Sequence, residues 1–401
     1  MKNNLIIRLS IIVLVSVQVA WYIFLWVSYF NSPALLKGSD FRAFYTAGVI
    51  ANRYGYEKVY DIDLEKITQE TIIEENIPRG ELLTYNHPPL LLPILALVSN
   101  FDYSRAYIIY GLFLLILTLP TIFFLYKVLK IKNWSANDIW RVLVAVLLFE
   151  PLFISILKGQ DSALLLLGLV VWFTGLLKGE DRLSGLGLAL TTIRPQISIF
   201  LAIPFIFQKR RVFTWYLLGG GVLVLYSYLM VGKQGFHDLL NLVRIGSAGQ
   251  DYGLNLSAMF NLTGLILRVF PGVEPIFLNY LKWGFYGLAL LGMILLWRQS
   301  SKIQNRHLVL LVISSVFFSP HMHYHDLAVM LVPILAMLLI WIDQAVISAK
   351  MAGLVIFIMS ISLIFGDIFT TTYHIIPSLI MALILAGSWR PQWCKPRQKS
   401  A

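Results

Sequence analysis

Long apolar runs alternate along this chain with short polar interruptions. Leu9 to Phe30, Tyr107 to Tyr126, Val212 to Met230 and Ile276 to Trp297 carry almost no charge. Each is long enough to cross a bilayer as a helix, which takes about 20 apolar residues. Lysine and arginine gather in short stretches between runs, and such excess marks cytoplasmic loops. Placing Lys2 and Arg8 in the cytoplasm sets the direction of every later segment. The pattern predicts a first helix over 9–30 and an extracytoplasmic loop over 31–86, with surface helices at 41–54 and 61–76. The apolar piece 88–99 is too short to span and reads as re-entrant or interfacial. Helices over 104–126, 138–157 and 162–177 follow. Segment 183–208 is broken at Arg194-Pro195, because proline opposes a continuous helix. Two short segments meeting there return Lys209-Arg210-Arg211 to the cytoplasm. Helix 212–231 leads to an external stretch, 232–274, that contains Gln250-Asp251-Tyr252-Gly253. Helices over 275–297, 307–319, 326–342, 350–366 and 373–389 complete about twelve crossings. Both termini and a basic tail, 390–401, fall in the cytoplasm. The whole chain, 1–401, reads as one integral membrane domain.

Composition agrees. The chain is 58% hydrophobic and 13% charged, against about 45–50% and about 25% in soluble domains. Its +11 formal charge resides largely in loops that fix topology and meet anionic lipid, and no basic-aromatic nucleic-acid module is visible. The loop 31–86 is acidic instead, with Glu57, Asp61, Asp63, Glu65, Glu70, Glu74, Glu75 and Glu81. The single cysteine, Cys394, allows no intramolecular disulfide. Met1 to Arg8 and the run behind it look like a signal peptide, but the run is too long and lacks a small-residue cleavage site, so it reads as a retained helix.

Five polar clusters interrupt the apolar segments: Ser39-Asp40-Phe41-Arg42, His87-Pro88-Pro89, Gly159-Gln160-Asp161, Arg194-Pro195-Gln196 and His321-Met322-His323-Tyr324-His325-Asp326. The threading puts all five at the extracytoplasmic face, and ionisable groups near hydrocarbon need a reason. Asp40 has two readings. It caps the surface helix, as Ser39 also would, or it takes a proton from a substrate hydroxyl, with Phe41, Phe44 and Tyr45 desolvating it. His87 hydrogen-bonds a phosphate or sugar, or serves structure at the membrane interface. Gly159 permits a tight turn, Gln160 offers a donor and an acceptor, and Asp161 caps the next helix or serves the site. Arg194 sits at a helix break suited to a phosphate, or it forms a structural salt bridge with a carboxylate such as Asp161. His321, His323 and His325 alternate as in extended chain and either bind a metal or face a phosphate. Asn255-Leu256-Ser257 and Asn261-Leu262-Thr263 match the glycosylation acceptor pattern, which is common by chance.

Taken in order, the clusters resemble glycosyltransferase family 87, the polyprenyl-phosphate-mannose-dependent type of enzyme with the GT-C membrane fold. The resemblance rests on Asp40-Phe41, Tyr45 and Val59-Tyr60-Asp61; on Tyr85-Asn86-His87-Pro88-Pro89, with His87 where the family usually has tyrosine; and on Gly159-Gln160-Asp161-Ser162. It continues through Arg194-Pro195, where the family has Lys-Pro, and Ser319-Pro320 with His325 at the matching spacing and His323 in place of tryptophan. The departures at His87 and His321-Met322-His323 bear on acceptor or sugar preference.

The resemblance implies an all-α polytopic fold with short re-entrant helices and an extracytoplasmic active site. It implies transfer of a sugar, a hexose such as mannose, from a polyprenyl-phosphate-linked donor to a lipid or glycan acceptor in building a cell-envelope glycan, with inversion. Asp40 would be the general base, Arg194 and His325 would hold the donor phosphate, and Tyr45, His87, Gln160, Asp161, His321 and His323 would contact substrate. It calls for no cofactor and no metal. The competing reading is a transporter or lipid-linked-sugar flippase, which would spread charged residues along a path through the cytoplasmic half as well.

Overall fold

The computed structural model describes residues 2–247, 256–300 and 302–368, and every regular element among them is helical. The long helix α1 (Lys2–Asn31) runs into a polar excursion built from α2 (Pro33–Lys37), α3 (Phe41–Tyr54), α4 (Ile62–Ile73) and α5 (Leu92–Val98). Then come α6 (Tyr103–Ile131), α7 (Ala136–Leu147), α8 (Glu150–Leu157), α9 (Ser162–Lys178), α10 (Asp181–Leu190), α11 (Pro195–Ala202) and α12 (Phe205–Gln208). The last described elements are α13 (Arg210–Ser247), α14 (Leu262–Val269), α15 (Pro275–Gln299), α16 (Asn305–Phe317), α17 (Leu331–Asp343) and α18 (Ala349–Ile368). A 3₁₀ turn, 324–330, leads directly into α17. Side-chain caps start several of these helices. Ser32 accepts from the Leu35 N–H, Asp61 from Asp63 and Leu64, Asp102 from Arg105 and Ser135 from Asp138.

Among the described residues, five helices are long and apolar enough to cross a membrane: α1, α6, α13, α15 and the 3₁₀ turn with α17. The pair α7 and α8 makes a sixth only if taken together across a 42° bend. The protein is therefore an all-helical integral membrane protein. Where the sequence predicts about twelve crossings, five further apolar helices have only 10–17 residues: Pro89–Val98, Ser162–Lys178, Pro195–Gln208, Asn305–Phe317 and Ala349–Ile364. Most of α9 and all of α16 from His307 to Phe317 are buried, so protein rather than lipid surrounds them and their length need not match the hydrocarbon. Burial also ranks the long helices. The segment 324–343 is 72% buried and central, whereas α1 is 11% buried and peripheral. The predicted segment 373–389, the tail 390–401 with Cys394, residues 250–253 and Asn255 lie outside the described residues.

A helix forms at each place where a surface helix is expected: α3 covers 41–54 but is mostly buried rather than on the surface, and α4 covers most of 61–76. The break expected at Arg194 is present: α10 ends at Leu190, a 3₁₀ turn covers Thr191–Ile193, and Pro195 opens α11. One stretch differs. Residues 233–247, expected only as part of an external stretch, continue α13 beyond a kink at Gly232, whose φ of 67° suits a residue without a Cβ.

Small residues set the closest crossings. A Cβ on Gly187 of α10 would strike the backbone of Trp172 on α9, and one on Gly185 would strike Val212 and Trp215 on α13. Close backbone approach of this kind holds helices together where lipid gives no hydrophobic drive. The bend between α7 and α8 has a different seal. The Leu148 carbonyl accepts from Gln18 at 2.6 Å, Tyr22 at 2.7 Å and Ser360 at 2.9 Å. Gln18 also donates to the Ser360 hydroxyl at 2.9 Å, which accepts from the Glu150 N–H at 2.8 Å. Helices α1 and α18 thus satisfy the backbone that the bend leaves open.

Candidate active site

All five polar clusters contribute to one constellation. Asp40 heads α3. Its φ and ψ of −61° and −22° are already helical, and its side chain makes no capping bond. Ser39 does not cap either; its hydroxyl donates to the Leu36 carbonyl at 2.7 Å. The Asp40 carboxylate is therefore left for other partners. The His325 ring lies close by, with Nδ1 3.8 Å from Oδ2. The side chain is partly open, at 32% accessible. Burial pushes the carboxyl up, but attraction from His325 and Lys158 and a hydrogen bond from Gln160 outweigh it, leaving it below its ordinary value. Asp40 is ionised at neutral pH.

The turn Lys158-Gly159-Gln160-Asp161 joins α8 to α9 and locks onto the start of α3. The Phe41 N–H donates to the Lys158 carbonyl at 2.8 Å. Gly159 has φ of 72°, and a Cβ there would sit 2.7 Å from the Phe41 Cβ. Only glycine meets both demands. Gln160 is buried, and its Oε1 has no hydrogen-bond partner. Asp161 caps nothing with its side chain. It faces the Arg194 Nη2 at 3.0 Å and the His87 Nδ1 at 2.9 Å. Burial works against its charge, and Arg194 and His87 overcome this, bringing the carboxyl down to about 2.

Arg194 resolves in favour of the salt bridge. Its Nη2 also lies 3.3 Å from Asp326 Oδ1, and its Nη1 lies 2.8 Å from His87 Nδ1. That His87 nitrogen sits between the two: unprotonated it accepts from Arg194, and protonated it donates to Asp161. The backbone of His87 is held by the Tyr60 hydroxyl, which donates to its carbonyl at 2.8 Å. Phe44 and Tyr85 flank its ring, with centroids at 4.8 Å and 5.5 Å. Two carboxylates already answer the Arg194 charge, so the region around it is no longer cationic. The phosphate role expected of Arg194 meets this obstacle.

The histidine run is extended at His323, with φ of −102° and ψ of 173°, before the 3₁₀ turn begins. Consecutive rings approach each other: His321 to His323 is 4.7 Å and His323 to His325 is 5.9 Å between centroids. Burial, aided by neighbouring imidazoles, lowers His321 and takes His323 down to about 4, so both are neutral at pH 7. Among the described residues no group of three or more His, Cys, Asp or Glu side chains is arranged to hold a metal ion. His325 lies between two carboxylates, with Nε2 3.6 Å from Asp326 Oδ2 and Nδ1 toward Asp40. Asp326 is fixed in turn by the Ser162 hydroxyl at 2.9 Å. The turn before the run is anchored by Asn261, which is fully buried and donates to the Ser319 carbonyl at 2.6 Å. That asparagine is structural and inaccessible to a glycan.

Tyr45 is not part of the constellation. Its hydroxyl donates to the Phe101 carbonyl at 2.9 Å and its ring meets Tyr103. At 3.6 residues per turn, five positions carry it about 140° around the helix from Asp40. Three residues that belong to the constellation went unread in the sequence: Lys158, Ser162 as a partner, and Asp326 as the second carboxylate on Arg194. Lys158 carries a visible signal, a lysine beside a cluster placed opposite the basic loops.

The arrangement offers an ionised, uncapped carboxylate, an adjacent imidazole and a rigid ionic frame behind them, which suits proton transfer from a hydroxyl. No curated protein and no solved structure matches the chain. The family profile of glycosyltransferase family 87 matches residues 85–320, which takes in His87, Gln160, Asp161 and Arg194 but leaves out Asp40 and the whole histidine run. With more than half its length matched and these motifs assembled at one site, the chain belongs to glycosyltransferase family 87.

Proposed function

We propose that the protein transfers a sugar, a hexose such as mannose, from a polyprenyl-phosphate donor to a lipid or glycan acceptor at the extracytoplasmic face. The observation that carries this reading is the Asp40 carboxylate: ionised, free of capping duty, partly open and 3.8 Å from His325. In the reaction the acceptor oxygen bonds to the anomeric carbon as the bond to the phosphate oxygen breaks, inverting configuration. The electron pair of the broken bond stays on that oxygen, and the acceptor proton goes to Asp40. A carboxylate held below its ordinary value is a weak base, so the proton moves late, when attack on the sugar has made the hydroxyl acidic. His325 donates toward the departing phosphate. The unpartnered Gln160 Oε1 accepts from a sugar hydroxyl, with His87 and the neutral His321 and His323 around it. Arg194 and Asp161 act one layer back, holding His87 and Asp326 in place.

The test is transfer from labelled polyprenyl-phosphate sugars by purified protein in lipid, with Asp40→Asn beside the parent. General-base removal costs about 10²- to 10⁴-fold in rate. An Asp40→Asn variant that transfers at the parental rate excludes Asp40 as the base.

A further inference from the structure

We propose that Glu65 and Gln69, on helix α4, are positioning residues that fix where His87 stands in the site. Residues 82–86 belong to no regular element, and this strap leads from the acidic excursion into the constellation at His87. Among the described residues, the backbone of 82–87 makes one bond within itself, from the Asn86 N–H to the Thr84 carbonyl at 3.1 Å. Side chains from elsewhere supply the rest. The Arg42 Nη2 donates to the Glu81 carbonyl at 2.9 Å. The Gln69 Nε2 donates to the Leu83 carbonyl at 2.6 Å, and the Gln69 Oε1 accepts the Leu83 N–H at 3.3 Å. The Glu65 Oε1 accepts the Tyr85 N–H at 3.1 Å, and the Tyr60 hydroxyl donates to the His87 carbonyl at 2.8 Å.

The held positions are 81, 83, 85 and 87, and alternate residues of an extended chain turn their backbone groups to the same edge. A helix advances about 6 Å over four residues, and an extended chain advances about 6.7 Å over two. Glu65 and Gln69 therefore match Tyr85 and Leu83 one for one. Both are fully buried, so water does not compete for these bonds. With Tyr60, one piece of chain, 60–69, grips three successive alternate positions, and the last is His87. The His87 ring tolerates little drift, because Nδ1 stands 2.9 Å from Asp161 and 2.8 Å from Arg194, and such bonds weaken beyond about 3.2 Å. Ordinary packing also accounts for the pair, since buried polar groups need partners. Packing alone predicts lower stability with the His87 ring and substrate affinity unchanged. Asp40 is held separately, through the Phe41 N–H, so slackening the strap should touch affinity before the chemical step.

The experiment compares the full-length parent in lipid with Gln69→Met, Glu65→Met and Glu65→Gln, the last of which keeps the acceptor oxygen. Each is studied well below its unfolding midpoint. Ring-nitrogen NMR signals of His87, identified by their absence in His87→Ala, read its placement directly. KM and kcat for a labelled polyprenyl-phosphate sugar read the consequence, which rests on the transfer reading above. Q69M and E65M should shift or broaden the His87 signals and raise KM about fivefold with kcat within about twofold. E65Q should match the parent in both. In a His87→Ala background Q69M should change KM less than about twofold, because a residue acting through His87 then has nothing to act on. Parental His87 signals in both Q69M and E65M overturn the proposal. So does a Q69M effect on KM that persists in full without His87. A parent that transfers from no polyprenyl-phosphate donor overturns the transfer reading instead, and the His87 signals still decide this proposal.

Discussion

Replacing Arg194 with methionine removes one cation from between two carboxylates while keeping much of the side-chain length. The geometry gives the size of the effect. At an effective dielectric of about 20, a unit pair near 3 Å is worth about 5 kcal/mol, and Arg194 has two, at 3.0 Å and 3.3 Å. Desolvation of the three groups offsets much of that sum. Removing one partner of a buried pair costs about 3–5 kcal/mol, and with both Asp161 and Asp326 exposed to each other the upper end is expected. Neutralising them as well, in Arg194→Met with Asp161→Asn and Asp326→Asn, should recover more than half. The assay is denaturant unfolding in micelles followed by tryptophan fluorescence. Its pH dependence has a definite sign. The parental Asp161 carboxyl is lowered to about 2, so its contribution is complete above about pH 4 and is lost as pH falls toward 2. The gap between parent and R194M should therefore narrow on acidification. An R194M protein as stable as the parent that fails to bind polyprenyl phosphate would refute this reasoning and restore Arg194 as a phosphate ligand.

Gly159→Ala should destabilise by about 2 kcal/mol or more, from left-handed backbone strain and the Phe41 collision. It should also slow transfer, because the same turn positions Asp40; parental kcat and unfolding midpoint together would contradict this. Glu65 is fully buried in α4 and accepts the Tyr85 N–H at 3.1 Å. Burial raises its carboxyl well above the usual range. It folds as the neutral acid, so stability is greatest below the ordinary carboxylate range and declines as pH rises. Glu65→Gln should match the parent at pH 4 and exceed it at pH 8, and a parent more stable at pH 8 would reject the neutral assignment.

The sequence made the positions of many helices legible because membrane periods are long and Gly and Pro punctuate them, but not which of them are long enough to cross. Helix α3 coincides with its predicted range, and the break before Pro195 follows from proline chemistry alone. The two acids were harder. Asp40 and Asp161 look like helix caps, as Asp61 and Asp102 are. What separates them is backbone conformation: Asp61 is extended, with φ of −78° and ψ of 109°, and caps, whereas Asp40 is already helical and does not. No local pattern reports that difference. The Arg194–Asp161 bridge was one of two legible alternatives. Its second half, Asp326, lies 132 residues away in a run whose histidines draw attention first. Tyr45 was misleading because motif membership says nothing about which side of α3 a residue faces.

The bend between α7 and α8 has a consequence for biosynthesis. A helix break in hydrocarbon exposes a carbonyl that nothing nearby in sequence can satisfy. Of the three donors on the Leu148 oxygen, Gln18 and Tyr22 are made before it, but Ser360 emerges 212 residues later. The nascent chain therefore has a provisional seal from its first helix and a finished one only after α18 arrives. Helix α8, whose end carries the Lys158–Asp161 turn, hangs from that joint. Chains truncated before Ser360 should be inserted, held by α1, and yet lack a set active site, which makes the arrival of α18 the step that matures the enzyme.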